Sequence, residues 1–204
     1  YMDIVGSLFA LTLFSPLLVA IAIAIKLTSK GPIFFRQQRL GQYGCPFTFL
    51  KFRSMYSPNS HTIHKEYVKR LISGALETGQ ASGQQNVFKL TNDQRITPIG
   101  RLLRRTSLDE WPQFLNVLLG QMSLVGPRPP IHYEVECYDT WHKRRLLAAK
   151  PGITGLWQVK GRSRIKFDEM VRLDLEYARS WTLWLDIKIL LRTPVAMISG
   201  EGAY

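Results

Sequence analysis

The chain has 204 residues, room for one domain with a core, and 46% of them are apolar, so disorder is not the default. Its 27 Lys and Arg against 15 Asp and Glu give a net charge of +12, which calls for an anionic partner: nucleic acid, acidic lipid or a phosphorylated substrate. Two cysteines, Cys45 and Cys137, exclude a disulfide framework and read as reduced thiols.

Residues 4–25 carry no charged side chain. As one helix they would be roughly 33 Å long, the thickness of a bilayer core. The run lacks the polar stripe of a core helix and the cationic start of a signal peptide. Ser15-Pro16 sits midway, and proline removes a helix hydrogen bond and clashes with the preceding turn. A kinked spanning helix and a helix that bends and leaves on its own side both fit, because proline is tolerated in spanning helices. Lys26, Lys30, Arg36 and Arg39 follow at once and place the downstream domain on the cytoplasmic side.

Residues 33–39 and 47–53 read as two short strands around the turn signal of residues 41–46. Residues 54–60 read as loop, 64–75 as helix and the Gly-, Ser- and Gln-rich stretch 78–85 as a mobile loop. Residues 98–105 form a short basic helix, with Thr97 as N-cap and Pro98 at its first position. Helices are expected over 110–119, 134–149, 167–180 and 183–198, and residues 155–160 read as a strand or extended segment. The last helix has Trp181 and Trp184 near its start and Lys188 and Arg192 along it. That mix suits a membrane interface, and an amphipathic helix packed on the core fits equally well.

Chemistry concentrates at Ser107-Leu108-Asp109-Glu110-Trp111-Pro112. Proline is comfortable in a helix's first turn, so Pro112 places a helix start near Asp109. The dipole there favours an ionised aspartate, as nucleophile or metal ligand, and attracts phosphate. Acids at a helix start are also routine caps, and Ser107 with Glu110 matches a capping box, so alone the pair reads as a cap. The surroundings change that reading. Arg101, Arg104 and Arg105 precede the pair, and Gly126-Pro127-Arg128-Pro129-Pro130 is a stiff loop that fixes an arginine. Residues 140–167 hold eight basic side chains and no acid. Lys51 and Arg53 end the second strand. Arginine forks beside carboxylates that can hold a hard cation suggest a pyrophosphate with Mg²⁺. There is no P-loop, no GxGxxG and no nucleic-acid module; His61 and His64 read as surface residues.

Five segments occur in order: Gly31-Pro32-Ile33-Phe34-Phe35-Arg36-Gln37, Lys51-Phe52-Arg53-Ser54-Met55, Ser107-Leu108-Asp109-Glu110 with Pro112-Gln113, Met122-Ser123-Leu124-Val125-Gly126-Pro127-Arg128-Pro129 and Lys150-Pro151-Gly152-Ile153-Thr154-Gly155. With them the chain resembles, almost end to end, the bacterial sugar transferases, the monotopic polyprenyl-phosphate phosphoglycosyl transferases. The resemblance implies a Mg²⁺-dependent ping-pong reaction at the bacterial inner membrane. In it Asp109 attacks the pyrophosphate of a UDP-sugar, UMP leaves, and undecaprenyl phosphate takes the sugar phosphate. This is the first membrane step of exopolysaccharide, capsule or O-antigen assembly. It further implies that Glu110 assists Mg²⁺ alongside Asp109 and that Lys51 and Arg104 hold phosphate. The Pro127-Arg128-Pro129 loop goes with the uridine end, and the apolar helix is re-entrant with its break at Ser15-Pro16.

The expected fold is α+β: residues 1–30 a re-entrant membrane helix, residues 31–204 a helix-rich cytoplasmic catalytic domain with a small β-hairpin and an interfacial last helix. The part from Trp181 to Tyr204 is more like the larger members, and with the start at Tyr1 before Met2 a catalytic domain of a longer protein is expected. Lipid is an expected partner, nucleic acid is not, and a homo-oligomer is left open. The competing readings are a membrane-bound lipid-phosphate phosphatase or pyrophosphatase, using the same acids and arginines, and a basic membrane-surface adaptor in which Asp109 and Glu110 are dispensable.

Overall fold

The computed structural model describes residues 1–56, 95–161 and 165–198. The helix expected over 64–75, the loop over 78–85, and His61 and His64 lie outside the described residues.

Two helices open the chain, α1 (Met2–Leu13) and α2 (Ser15–Thr28), bent by 64° at the single residue Phe14. Pro16 falls in the first turn of α2, where its missing N–H leaves no bond unmade, so the break predicted at Ser15-Pro16 is present. Among the described residues no single helix is long and apolar enough to cross a membrane; this bent pair passes only when taken together.

Both ends of the pair are tied to the same folded body. At the start, the Asp3 carboxylate accepts from the Ser123 hydroxyl at 3.0 Å and the Leu124 N–H at 2.9 Å. At the end, Arg53 donates to the carbonyls of Ser29 and Lys30 and to the Ser29 hydroxyl, each at 2.8 Å. Ile21 and Ile25 pack inward with Phe52 and Leu103, while Val5, Phe9, Val19, Ile23 and Leu27 face outward and are exposed.

Strands β1 (Phe34–Leu40) and β2 (Pro46–Phe52) form the expected hairpin, antiparallel, with Phe34 opposite Phe52 and Leu40 opposite Pro46. Alternation along β2 puts Phe47 and Phe49 into the main core. Helix α3 (Pro98–Thr106) starts as expected: the Thr97 hydroxyl accepts from the Gly100 N–H at 2.9 Å.

The next stretch departs from expectation. α3 stops at Ser107, a left-handed residue with φ 55°. A single 3₁₀ turn, Leu108–Glu110, follows, and then the short helix α4 (Gln113–Leu118). Asp109 is therefore not an N-cap: it lies inside the 3₁₀ turn, and Pro112 is the residue that precedes α4. No side-chain bond from Ser107 caps the turn, so the expected capping box is absent too.

Two short strands were not expected. β3 (Ser123–Val125) and β4 (Gly152–Thr154) pair in parallel, Ser123 with Gly152 and Val125 with Thr154. Residues 155–160, expected as extended, are mostly helix α7 (Leu156–Lys160); the extended piece lies just before. The helix expected over 134–149 is two helices, α5 (His132–Glu136) and α6 (Thr140–Ala148). Their separation has a local cause: the backbone N–H of Asp139 donates to His142 Nδ1 at 3.1 Å and starts a new helix. Helices α8 (Phe167–Arg179) and α9 (Leu183–Ile198) fall where predicted. The core gathers Phe47, Phe49, Met122, Val125, Trp157, Val171 and Ile189 from the hairpin, the parallel pair and three helices. The architecture is helix-rich α+β with a small antiparallel sheet, and the parallel pair is added to it.

Candidate active site

The carboxylates are aimed by a corner rather than by a helix dipole. Ser107 reverses the chain in the left-handed region, which costs a non-glycine residue about 1–2 kcal/mol. That reversal turns Asp109 and Glu110 back onto β2. There the Lys51 ammonium lies 2.6 Å from Glu110 Oε1 and 3.9 Å from Asp109 Oδ2. Asp109 is 8% exposed. Three of the residues singled out in the sequence thus meet across 58 positions of chain, since Lys51 and Asp109 belong to elements far apart in sequence.

Beside them is a cavity of about 380 Å³ whose lining includes Lys51, Glu110, Arg128 and Pro129. It also includes Arg39, which sequence reasoning named only as a positive residue after the apolar run. Strand alternation is the one local signal for its inward face. Arg39 stands directly opposite Phe47 in the hairpin register, so it shares the inward face with Phe35 and Gln37. Its guanidinium donates to the Pro129 carbonyl at 2.6 Å and twice to Gln37 Oε1, at 2.8 and 3.1 Å. It also lies over the Phe49 ring, 4.7 Å from the centroid, with Lys51 Nζ 5.5 Å from the same ring. Burial, and then the neighbouring Arg128 charge, push the Arg39 pKa down to about 10.

Among the described lining residues three cations, Arg39, Lys51 and Arg128, face one carboxylate, Glu110. An excess of positive charge lining a cavity is a receptor for an anion, and planar guanidiniums suit phosphate oxygens.

The loop that presents Arg128 is rigid for a countable reason. Prolines cannot donate backbone hydrogen bonds, so its carbonyls must be satisfied from outside. Four successive carbonyls are. Pro127 accepts from the Gly152 N–H (2.8 Å), Arg128 from Arg145 (3.1 Å), Pro129 from Arg39 (2.6 Å) and Pro130 from the Leu40 N–H (2.9 Å). Arg145 is itself held by Asp174 at 2.6 Å, with both side chains 2% exposed. Neither was singled out from sequence, because the pairing joins α6 to α8.

Two more of the expected phosphate-binding residues are Arg104 and Arg53. Arg104 is half-buried in the last turn of α3, immediately ahead of the Ser107 corner. Arg53 is 5% exposed and donates from Nη1 and Nη2 to residues 29 and 30 at the end of α2, so it staples the helix pair to β2. Gly31, with φ 126°, makes room for it: a Cβ there would overlap the Arg53 guanidinium. Ser15 and Pro16 mark the bend and lie apart from the cavity lining, although Phe14 between α1 and α2 touches Trp111, which does line it.

The far wall comes from α9, through Leu190, Thr193, Pro194 and Met197. Asp186 and Ile189 on the same helix are buried, while Trp184, Leu191 and Val195 are exposed. One flank of α9 thus closes the site, while another remains outward.

Asp109 and Glu110 offer hard oxygen donors of the kind Mg²⁺ takes, and no cluster of three or more His, Cys, Asp or Glu occurs among the described residues. Two carboxylates fit that ion, which commonly uses one or two together with substrate phosphates and water.

The family model described as bacterial sugar transferase matches residues 1–200. The galactosyl transferase CpsE of Streptococcus agalactiae serotype III is 45% identical, with 100% of this chain and 42% of that protein covered. The undecaprenyl-phosphate galactose phosphotransferase of Salmonella typhimurium is 43% identical, with 99% and 40% covered. The exopolysaccharide production protein ExoY of Rhizobium meliloti is 37% identical, with 99% and 86% covered. The chain therefore spans about two fifths of the length of the first two relatives. On the match over residues 1–200, the chain belongs to the bacterial sugar transferase family.

Proposed function

We propose that this chain transfers a sugar 1-phosphate from a UDP-sugar to undecaprenyl phosphate, as an early membrane step of exopolysaccharide, capsule or O-antigen assembly. The observation that carries the reading is the Asp109–Glu110 pair held against Lys51 at the edge of a cavity with excess positive charge. A carboxylate beside an anion receptor is the arrangement a nucleophile on a pyrophosphate needs.

In the first step an Asp109 oxygen bonds to the phosphorus that carries the sugar, and the bond from that phosphorus to the UMP oxygen breaks. Arg39 and Lys51 bind the pyrophosphate and offset its charge. Arg104 is assigned to the same phosphates. In the second step an oxygen of undecaprenyl phosphate attacks the same phosphorus and Asp109 leaves as a free carboxylate. Mg²⁺, held by Glu110 and Asp109, would supply Lewis-acid stabilisation of the phosphoryl oxygens. Pro127 and Pro129 hold Arg128 at the uridine end. Arg53 is assigned no phosphate.

Placement at the cytoplasmic face of a bacterial inner membrane, with residues 1–30 re-entrant, is part of the proposal. It is supported by the hydrogen bonds that tie both Asp3 and Ser29 to one folded body, since helix ends fastened to the same domain are readily kept on one side of a bilayer. The exposed apolar flank between them would face lipid.

The test is intact mass of the full chain incubated with Mg²⁺ and a panel of UDP-sugars without acceptor. One donor should leave a sugar-phosphate adduct on Asp109, release UMP, and lose the adduct when undecaprenyl phosphate is added. Asp109→Asn should abolish the adduct with an unchanged melting temperature. An active Asp109→Asn protein, an adduct on Glu110, full activity in chelator, or release of phosphate or sugar phosphate to water without acceptor would overturn the reading.

A further inference from the structure

The cavity lining is of two chemical kinds. Arg39, Lys51 and Arg128 attract an anion, whereas Trp111, Phe114 and Met197 offer mainly apolar surface. An edge-to-face aromatic chain leads from that apolar lining to the outside. The Phe114 ring meets Trp111 at 5.5 Å between centroids and 67°, and Trp111 meets Phe14 at 4.5 Å and 75°. Phe14 is the residue at the bend of α1 and α2. It stays 37% exposed and is flanked by the exposed Leu13 and Leu17. A purely structural staple would be covered; this one opens at one end onto the apolar face of the helix pair and at the other onto a cationic cavity.

A ligand that uses both ends has an anionic head on a long hydrocarbon tail. We infer that Phe14 and Trp111 form the track by which the tail of the lipid-phosphate acceptor leaves the cavity, and that Trp111 sets the preference for a long apolar tail over a short one. This rests on the proposed transfer reaction. Aromatic faces suit the track because they give area at little cost in side-chain freedom, and the bend residue Phe14 is the one that meets Trp111.

The test separates the two half-reactions of the full chain in lipid nanodiscs. Adduct formation is measured without acceptor. Adduct discharge is measured with undecaprenyl phosphate and with a short, water-soluble isoprenyl phosphate. The readout is the ratio of kcat/KM for the long over the short acceptor, taken within each protein, so that a general loss of folded enzyme cancels. The wild type should prefer the long acceptor. Trp111→Ala should lower that ratio about tenfold, chiefly through KM for undecaprenyl phosphate, in keeping with the loss of one aromatic contact. Phe14→Ala should lower it less, and Trp111→Phe should restore most of it. If Trp111→Ala is too unstable to assay, Trp111→Leu keeps apolar bulk and should still lower the ratio. A wild type indifferent to tail length, or variants with the wild-type ratio, would overturn the inference while leaving the transferase reading intact. A wild type that forms no adduct with any donor would overturn both.

Discussion

The two strand pairs deliver the two halves of the site by different physics. β1 and β2 are seven residues each and are joined by a short turn. Their alternating pattern decides which side chains face inward, and Arg39 and Lys51 arrive with Phe47 and Phe49. β3 and β4 are three residues each and come from distant parts of the chain. They hold by close backbone approach at Gly126 and Gly152, and the Arg128 loop between them hangs on donors from elsewhere. One half of the site therefore rests on local pairing. The other rests on a few contacts between residues distant in sequence, and it should be the easier half to break.

The largest effect is expected at Arg145. Arg145→Ala strips the Arg128 carbonyl of its donor and leaves Asp174 buried without its partner. Urea unfolding should show a loss of about 3–5 kcal/mol. A loss below 1 kcal/mol would mean the loop does not depend on this arginine.

Gly152→Ala comes next. The new Cβ would overlap the Gly126 backbone nitrogen and press on the Val125 carbonyl carbon at 2.5 Å, atoms that cannot step aside. About 3 kcal/mol should be lost, with donor binding weakened alongside, whereas alanine at Gly120 meets nothing within 4 Å and should cost about 1 kcal/mol through its positive φ alone.

On the hairpin side, Arg53→Leu removes three hydrogen bonds to the end of α2. About 2 kcal/mol should be lost, and amide exchange should rise at residues 25–31 before it rises at Phe47 or Phe49. Weaker phosphate binding with unchanged exchange would instead return Arg53 to the site.

The smallest effect concerns pH. Burial raises the Asp174 pKa from 3.8 to about 6, against the opposing pull of Arg145. In that window the folded state holds a proton that the unfolded state has released, so this group's contribution is present at low pH and is lost as pH rises through about 6. The melting temperature of Asp174→Asn should lack that downward component. Parallel pH profiles of the two proteins would show that Asp174 does not titrate there.

How legible each half was follows from the same contrast. The hairpin, the Thr97 cap, the break at Ser15-Pro16 and the bounds of α8 and α9 are written in local patterns, and the structure matches them within a residue or so. Three-residue strands carry too little alternation to announce themselves, so β3 and β4 were not visible. Pro112 was a true signal of a helix start, but for α4 rather than for Asp109, because a left-handed serine is no sequence marker.

The sequence by itself determined the ordered motifs, the apolar bent pair, the hairpin and the carboxylates with their basic surroundings, because each is encoded within about one element's length. Only the tertiary structure decided which cations share the site. It recruited Arg39, turned Arg53 into a staple, and made the Arg145–Asp174 pair the support of the Arg128 loop. The reason is that a guanidinium's role is fixed by what accepts its hydrogen bonds, and those acceptors are backbone carbonyls up to 90 positions away, as for Arg39 and Pro129.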